Sequence, residues 1–218
     1  MIIAIDGPAA SGKGTLARRL AEHFDFAYLD TGKLYRAVGM RVLRSGGDPE
    51  DEEAAADAAR VLDPIELEDA ALARDEAAQA ASQVAALPAV REALVAFQRG
   101  FAESPPDGKP GAVLDGRDIG TVICPEAAAK LYVTADVDVR ADRRHKELLD
   151  RGIASIYARV LADLKDRDAR DTDRATAPMR PADDAHVLDT SEMDADAAFA
   201  AALDVVEPIV ASRVDLEG

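Results

Sequence analysis

The chain has 218 residues, is 48% hydrophobic and 31% charged, and carries a formal net charge of −16. That length suffices for one globular domain with a substantial core, while so negative a chain is a poor partner for a nucleic acid polymer, which needs a basic face. Cys124 is the only cysteine, no apolar run approaches a membrane span, and Asp6 cuts the first apolar run too early for a signal peptide. A cytoplasmic protein without disulfide or membrane anchor is expected.

The apolar run 2–5 reads as a buried strand of a parallel sheet. Gly7-Pro8-Ala9-Ala10-Ser11-Gly12-Lys13-Gly14-Thr15 follows, and a helical pattern runs over about 14–23. Strand, Gly-rich loop and helix with a lysine in register make a phosphate-binding P-loop. The glycines let backbone N–H groups curl around an anion, and the helix points its positive end at the same spot. Lys13 adds a full charge for the outer phosphates, so the whole stretch Gly7 to Thr15 is assigned to ATP. The hydroxyl comes at Thr15, one place later than in the general motif, which weakens direct ligation of Mg²⁺ by it.

A second strand at 27–29 ends in Asp30-Thr31, either of which can cap the next helix, with Tyr35 and Arg36 in its first turns. Ligand groups collect past the carboxyl ends of strands in open α/β sheets, so Thr31, Tyr35 and Arg36 belong beside the P-loop. Residues 46–110 read as a mostly helical insertion over the site, with helices expected over 49–62 and from 75 to 102, the latter interrupted at Pro88. Residues 65–74 are too short and acidic for more than a turn. The third strand, 112–115, closes on Asp115, as in an element that holds Mg²⁺ through water. A fourth strand at 130–134 feeds a basic helix over 137–151, and a further helix starts at Ser155 with Ile156, Val160, Leu161 and Leu164 as its apolar face. A fifth strand lies within 185–191, and a last helix covers about 195–210. This alternation predicts an α/β fold, a five-stranded parallel sheet with helices on both faces.

Charge is unevenly spread. Eleven of the 26 Lys and Arg lie between Arg140 and Arg180, against eight Asp and Glu, so this segment is positive in an acidic chain. Arginines gathered in one place point to a small anionic ligand. The bland alternative is a pair of solvated helices laced with ion pairs.

Several segments are more distinctive than the P-loop. They are Leu29-Asp30-Thr31-Gly32 with Tyr35-Arg36, Ala81-Ser82-Gln83-Val84-Ala85, Val90-Arg91-Glu92-Ala93-Leu94, and Asp115-Gly116-Arg117-Asp118-Ile119-Gly120-Thr121. Arg167-Asp168, Arg170-Asp171, Arg174 and Leu188-Asp189-Thr190-Ser191 follow. With Gly12-Lys13-Gly14-Thr15 they make the chain resemble the bacterial cytidylate (CMP) kinases from end to end. The resemblance implies a single P-loop kinase domain that transfers the ATP γ-phosphoryl group to CMP or dCMP, with residues 151–171 as a lid. It implies monophosphate contacts from Thr31, Ser82, Arg91, Arg117, Asp118, Arg167, Asp171 and Arg174, to which Tyr35 and Arg36 are added from their place beside the P-loop. It also implies Mg²⁺ with ATP, held by Thr15 and Asp115 through water. A monomer is expected. The segment between Leu62 and Ser82 is shorter than in many members, so the small antiparallel sheet they carry there is not expected. Lys33 replaces a small or apolar residue and reads as a surface lysine in preference to a further phosphate contact.

An acceptor that is already a phosphate anion needs no general base, and the three scattered histidines suggest none. Lys13, Arg117, Arg167 and Arg174 are the expected phosphoryl-transfer residues, with Arg170 a less secure addition. Asp118, Arg91 and Ser82 supply a carboxylate for the cytosine N4 amine and donors for N3 and O2; the alternative, compatible with it, is an Arg91–Asp118 ion pair that ties the insertion to the core. Two alternatives remain at this stage. Another monophosphate kinase, for UMP or AMP, would show a different base preference. A nucleotide switch would carry an Asn-Lys-x-Asp motif, which the chain lacks.

Overall fold

Alternation along strand β1 (Ile2–Asp6) sets the layering of the molecule, described over residues 1–217 in a computed structural model. Ile3 and Ile5 pack with Leu16 and Leu20 of α1 (Lys13–Phe24) and with Ala202 and Val206 of α8 (Ala195–Glu217). Ala4, between them, faces the opposite layer with Leu29, Leu114, Ile119 and Ile123. A two-residue period buried on both sides is the signature of a covered parallel sheet. The remaining strands are β2 (Ala27–Asp30), β3 (Ala112–Gly116), β4 (Ala129–Thr134) and β5 (His186–Asp189), in spatial order β2-β3-β1-β4-β5 with every pairing parallel. Because β1 has β3 on one side and β4 on the other, a crevice opens at its carboxyl end. The loop 7–12 fills that crevice.

Helix α2 (Thr31–Arg44) leaves β2, and Asp30 caps it by accepting the Lys33 N–H at 3.2 Å. Next come α3 (Glu52–Arg60), two short 3₁₀ turns (Pro64–Glu68 and Ala70–Ala73), α4 (Asp75–Val84) and α5 (Pro88–Glu103). No strand lies between Leu62 and Ser82, as the short segment predicts. Helix α3 starts at Glu52 rather than Pro49, since the Asp51 carboxylate accepts the N–H groups of Glu53 and Ala54 and defines the cap there. Leu34, Val38 and Val42 of α2 pack with Ala55 and Ala59 of α3 and with Val90 and Leu94 of α5. Helix α4 lies against α2 at Gly39, where a Cβ would stand 2.6 Å from that of Ala80. Any larger residue at 39 would push α4 outward.

Helices α6 (Val137–Asp150) and α7 (Tyr157–Asp173) pack through Ala141, Leu148, Val160 and Leu164. Helix α7 begins two residues later than the sequence suggests. The Ser155 hydroxyl lies 2.8 Å from His145 Nδ1 instead of capping a helix, and Ile156 is 57% exposed, outside the apolar face assigned to it. Helix α8 runs past Val210 to Glu217, because Pro208 sits on its exposed side and water can take the carbonyl that Pro208 cannot bond. Among the described residues, no single helix is long and apolar enough to cross a membrane.

Candidate active site

The loop after β1 takes its shape from one backbone position. Gly7 has φ 146°, and a Cβ there would lie 2.0 Å from the Val133 carbonyl oxygen of β4. Only glycine lets the chain pass so close to the neighbouring strand. Gly12, at φ 89°, then turns the loop directly into α1, so that Lys13 is the first helical residue. Two ties hold the loop from outside. The Arg140 guanidinium donates to the Ala9 carbonyl at 3.2 Å, and the Thr190 hydroxyl donates to that of Ser11 at 3.0 Å. Buried Arg140 also grips Asp168 of α7 at 2.6 Å and thereby links the loop to that helix. Neither tie was assigned from sequence.

Beside the loop lies a cavity of about 160 Å³. Thr31, Tyr35, Arg36, Ser82, Arg91, Arg117, Asp118, Arg167, Asp171 and Arg174 all line it, together with Lys13 and Asp115. Six separate elements contribute. Residues assigned from distant motifs therefore converge on one space at the carboxyl edge of the sheet.

Its two ends differ chemically. At one end, Asp118 accepts from Arg91 and, at 3.4 Å, from Arg174, all three side chains being 4–6% exposed. Arg174 also donates to the Ala177 carbonyl at 2.6 Å. Arg174 is thus held at the Asp118 end, away from Lys13. At the other end, Arg117 donates to Asp171 at 2.9 Å. Burial opposes ionisation of Asp171, yet Arg117 and Arg174 hold its carboxyl below the usual range. Arg167 is half-buried, and its Nε is fully buried with no partner among the described residues. Burial and the neighbouring Arg117 push its guanidinium down to about 10, and the same two causes bring Lys13 down to about 8. Among the described residues Lys13 donates only to the Pro8 carbonyl, at 3.5 Å. Concentrated, poorly neutralised cations of this kind call for an anion.

Asp115 also faces Lys13. Burial raises its carboxyl and Asp30 adds to the rise, while Lys13 opposes it. Tyr28 donates to Asp115 at 2.7 Å, a contact sequence reasoning missed. Two carboxylates close to each other and to the loop lysine suit a hard divalent cation. Thr15 lies elsewhere. It opens onto a separate cavity of about 200 Å³ with Leu16, Val133, Arg143, Thr190, Met193 and Ala198, and does not share a space with Asp115.

Behind the site, the turn that follows Asp118 is a single π-helical turn, Ile119–Ile123. Successive N–H groups of Ile119 and Gly120 donate to the two oxygens of buried Asp6 at 2.7 and 2.8 Å. Burial pushes that carboxyl up to about 7 against the pull of both bonds. Asp6 joins the root of the P-loop to the segment bearing Arg117 and Asp118, a role its place in an apolar run conceals. Arg170 lies outside the cavity, exposed on α7, but its Nε donates to the Ser82 hydroxyl at 3.1 Å. Lys33 lines an adjoining basic cleft with Arg36, Arg144 and Arg151. Cys124 is buried, its thiol pushed up to about 11 by desolvation, so it is no nucleophile.

The family model for cytidylate kinase matches residues 3–208 of this chain. The chain belongs to the cytidylate kinase family. A cytidylate kinase from Paramagnetospirillum magneticum is 64% identical over 205 residues, covering 94% of this chain and 97% of its own. One from Rhodospirillum rubrum is 63% identical over 206 residues, with the same coverage of 94% and 97%. One from Rhodopseudomonas palustris strain BisA53 is 56% identical over 214 residues, 98% of this chain and all of that one. Among solved structures, an uncharacterized protein from Eubacterium ventriosum superposes with a TM-score of 0.53 at 15% identity, covering 95% of this chain and 98% of its own. At that identity the likeness concerns the fold alone. Family membership accounts for the distinctive segments, all of which border the cavity or brace it.

Proposed function

We propose that this cytidylate kinase family member transfers the γ-phosphoryl group of ATP to CMP or dCMP, giving ADP and the nucleoside diphosphate. The observation that carries the reading is the convergence of ten separately assigned residues on one cavity whose cation-rich end meets the P-loop lysine. ATP lies along residues 7–15, its phosphates against the loop N–H groups and Lys13. The mostly apolar cavity beside Thr15 suits its base and sugar. The monophosphate occupies the ten-residue cavity, with its phosphate toward Arg36, Arg117 and Arg167 and its base toward Asp118, Arg91, Arg174 and Ser82.

The acceptor oxygen is already ionised, so the protein removes no proton. Its work is to hold two polyanions in line and offset the charge that develops between them. Lys13 and Arg167 are poised for this, since burial makes each cation costly without an anion beside it, and Arg117, held by Asp171, adds its charge next to them. Asp115, supported by Tyr28 and with Asp30 nearby, would hold Mg²⁺, a role that falls to Asp115 more than to Thr15. Mg²⁺ supplies charge neutralisation across the phosphate oxygens of ATP when bound. Residues 46–110 act as the monophosphate-binding insertion, and residues 151–171 as the lid that keeps water from the γ-phosphate. The same reading takes the working form to be a monomer in the cytoplasm.

At the base end, an Asp facing uracil O4 would set two acceptors against each other, at a cost of about 1–3 kcal/mol. A coupled turnover assay with ATP against CMP, dCMP, UMP and AMP tests the reading. CMP and dCMP are expected to lead UMP by at least about tenfold in kcat/KM. Equal values for CMP and UMP would remove Asp118 as the base reader.

A further inference from the structure

Arg167 and Asp171, four apart on one face of α7, line the acceptor cavity together with Arg174, which caps the end of the helix. Arg170 belongs to the same helix but not to that lining. It is exposed, and it reaches across to α4, where its Nε donates to the Ser82 hydroxyl at 3.1 Å. Ser82 is buried at 6% exposure and lines the cavity, and this is the only hydrogen bond its side chain makes among the described residues.

The chemistry of that bond is one-directional. A guanidinium has donors and no acceptor, so the serine oxygen must accept, and its own proton must point elsewhere. A helical serine left to itself can turn its proton back onto the carbonyl one turn earlier and lose it as a ligand contact. The incoming Arg170 bond occupies one lone pair of the oxygen, and no carbonyl takes the hydroxyl proton among the described residues, which leaves that proton free for a ligand in the cavity. A hydroxyl so held is a donor matched to an acceptor on the edge of a pyrimidine.

The helix that carries Arg170 is not fixed to the insertion by a shared apolar core. Its other polar links run through the neighbouring helix and the turn after it: Arg144 of α6 pairs with Asp75 at the start of α4, and Arg151 donates to the Ala73 carbonyl at 3.2 Å. All of these links are polar and cross a seam between the lid segment and the insertion. Position on that seam makes the orientation of Ser82 depend on where α7 stands.

We propose that Arg170 is a positioning residue for the acceptor nucleotide: from the lid helix it sets the Ser82 hydroxyl as a donor toward the pyrimidine, so that the base is fully gripped only when α7 has closed on α4. This rests on the proposed function, because it assumes that the cavity behind Ser82 takes the pyrimidine monophosphate. Arg170 acts through Ser82 and touches neither the phosphates nor the transferred group. Arg170 and Ser82 therefore form one functional unit split between two elements.

The test is a double-mutant cycle with Arg170→Ala, Ser82→Ala and both together, read by calorimetric titration of CMP and by steady-state kinetics. Arg170→Ala is expected to weaken CMP binding about tenfold, to raise KM for CMP far more than it lowers kcat, and to leave KM for ATP and the melting temperature unmoved. Ser82→Ala should lose a similar amount, and the double variant should be no worse than Ser82→Ala alone, since the two changes remove the same contact. Arg170→Lys, which keeps a donor on a long stem, should recover part of the loss. Unchanged CMP binding in Arg170→Ala, or losses that multiply in the double variant, would overturn the positioning role while leaving the proposed function standing. Failure of the unmodified protein to bind CMP in the same titration would overturn both.

Discussion

The two ends of the proposed acceptor cavity are built from the same residue types, yet their charges are compensated to different degrees. At the Asp118 end, one carboxylate is shared by Arg91 and Arg174, all buried, and the Ala177 carbonyl takes a further Arg174 proton. The arrangement is largely complete before any ligand arrives, and it offers directional hydrogen-bonding groups in fixed positions. At the Lys13 end, Lys13, Arg117 and Arg167 crowd together, Arg167 Nε has no partner among the described residues, and burial with mutual repulsion lowers Lys13 and Arg167. That end is incomplete without phosphate. The difference separates two tasks in one pocket: recognition needs groups that stay put, whereas charge transfer needs cations whose cost is recovered only when the phosphates are present.

The largest expected effect breaks the Lys13 end. Replacing Arg167 by Ala should lower kcat by about a thousandfold, the lower range for a charge-stabilising arginine in phosphoryl transfer. Thermal melting of the unliganded variant should show no loss of stability, because the change removes a buried cation that lacks a full set of partners. A variant that melts much lower would mean that Arg167 is structural.

Asp118→Ala attacks the opposite end and should do the reverse, hurting the fold as well as the selection. Two buried guanidinium groups would lose their shared carboxylate, at a cost of about 3–5 kcal/mol. Calorimetry should therefore record a clear fall in melting temperature, and the kcat/KM ratio of CMP to UMP should collapse toward one. Retention of that ratio would confine Asp118 to scaffolding.

Lys13 makes the comparison sharper through pH. Burial and Arg117 bring it down to about 8, so kcat/KM for ATP should decline as pH rises through about 8 and the charge is lost. Stability of the unliganded protein should move the other way. Between about 8 and the ordinary 10.5 the unfolded chain binds the proton and the folded chain does not, so the unfolding free energy rises with pH across that window. Lys13→Met should abolish both trends, and parallel rather than opposite slopes in the unmodified protein would contradict the assignment.

The smallest effect belongs to Lys33, at the rim of the basic cleft. As a half-exposed cation at a solvated rim it is worth roughly 0–1 kcal/mol. Lys33→Ala should change KM for either nucleotide by less than about threefold, and the difference should shrink as salt is raised. A loss of tenfold or more, insensitive to salt, would place Lys33 among the direct phosphate contacts.

Much of this was legible along the chain. Apolar runs of four or five residues, the spacing of Gly7, Gly12 and Lys13, and the alternation of strand with helix depend on near neighbours, which is why the five strands and the P-loop could be read directly. The distinctive segments around Thr31, Ser82, Arg91, Asp118 and Arg174 marked the cavity lining because each is short and locally complete. Errors fell where a cap decided a boundary. Asp51 starts α3 three residues after Pro49, and Ser155 turns to His145 instead of opening α7. The π-helical turn after Asp118 was invisible, since its cause is Asp6, more than a hundred residues earlier.

What the chain determined by itself was therefore the inventory: which residues would gather beside the P-loop, and on which kind of element each would sit. Only the tertiary structure decided their pairing and their charge state. Arg91 shares Asp118 with Arg174, Tyr28 donates to Asp115, and Arg170 reaches Ser82 across 88 positions of sequence. Such bonds obey no local period, and the cost of an unpaired cation such as Arg167 exists only once packing has taken the water away.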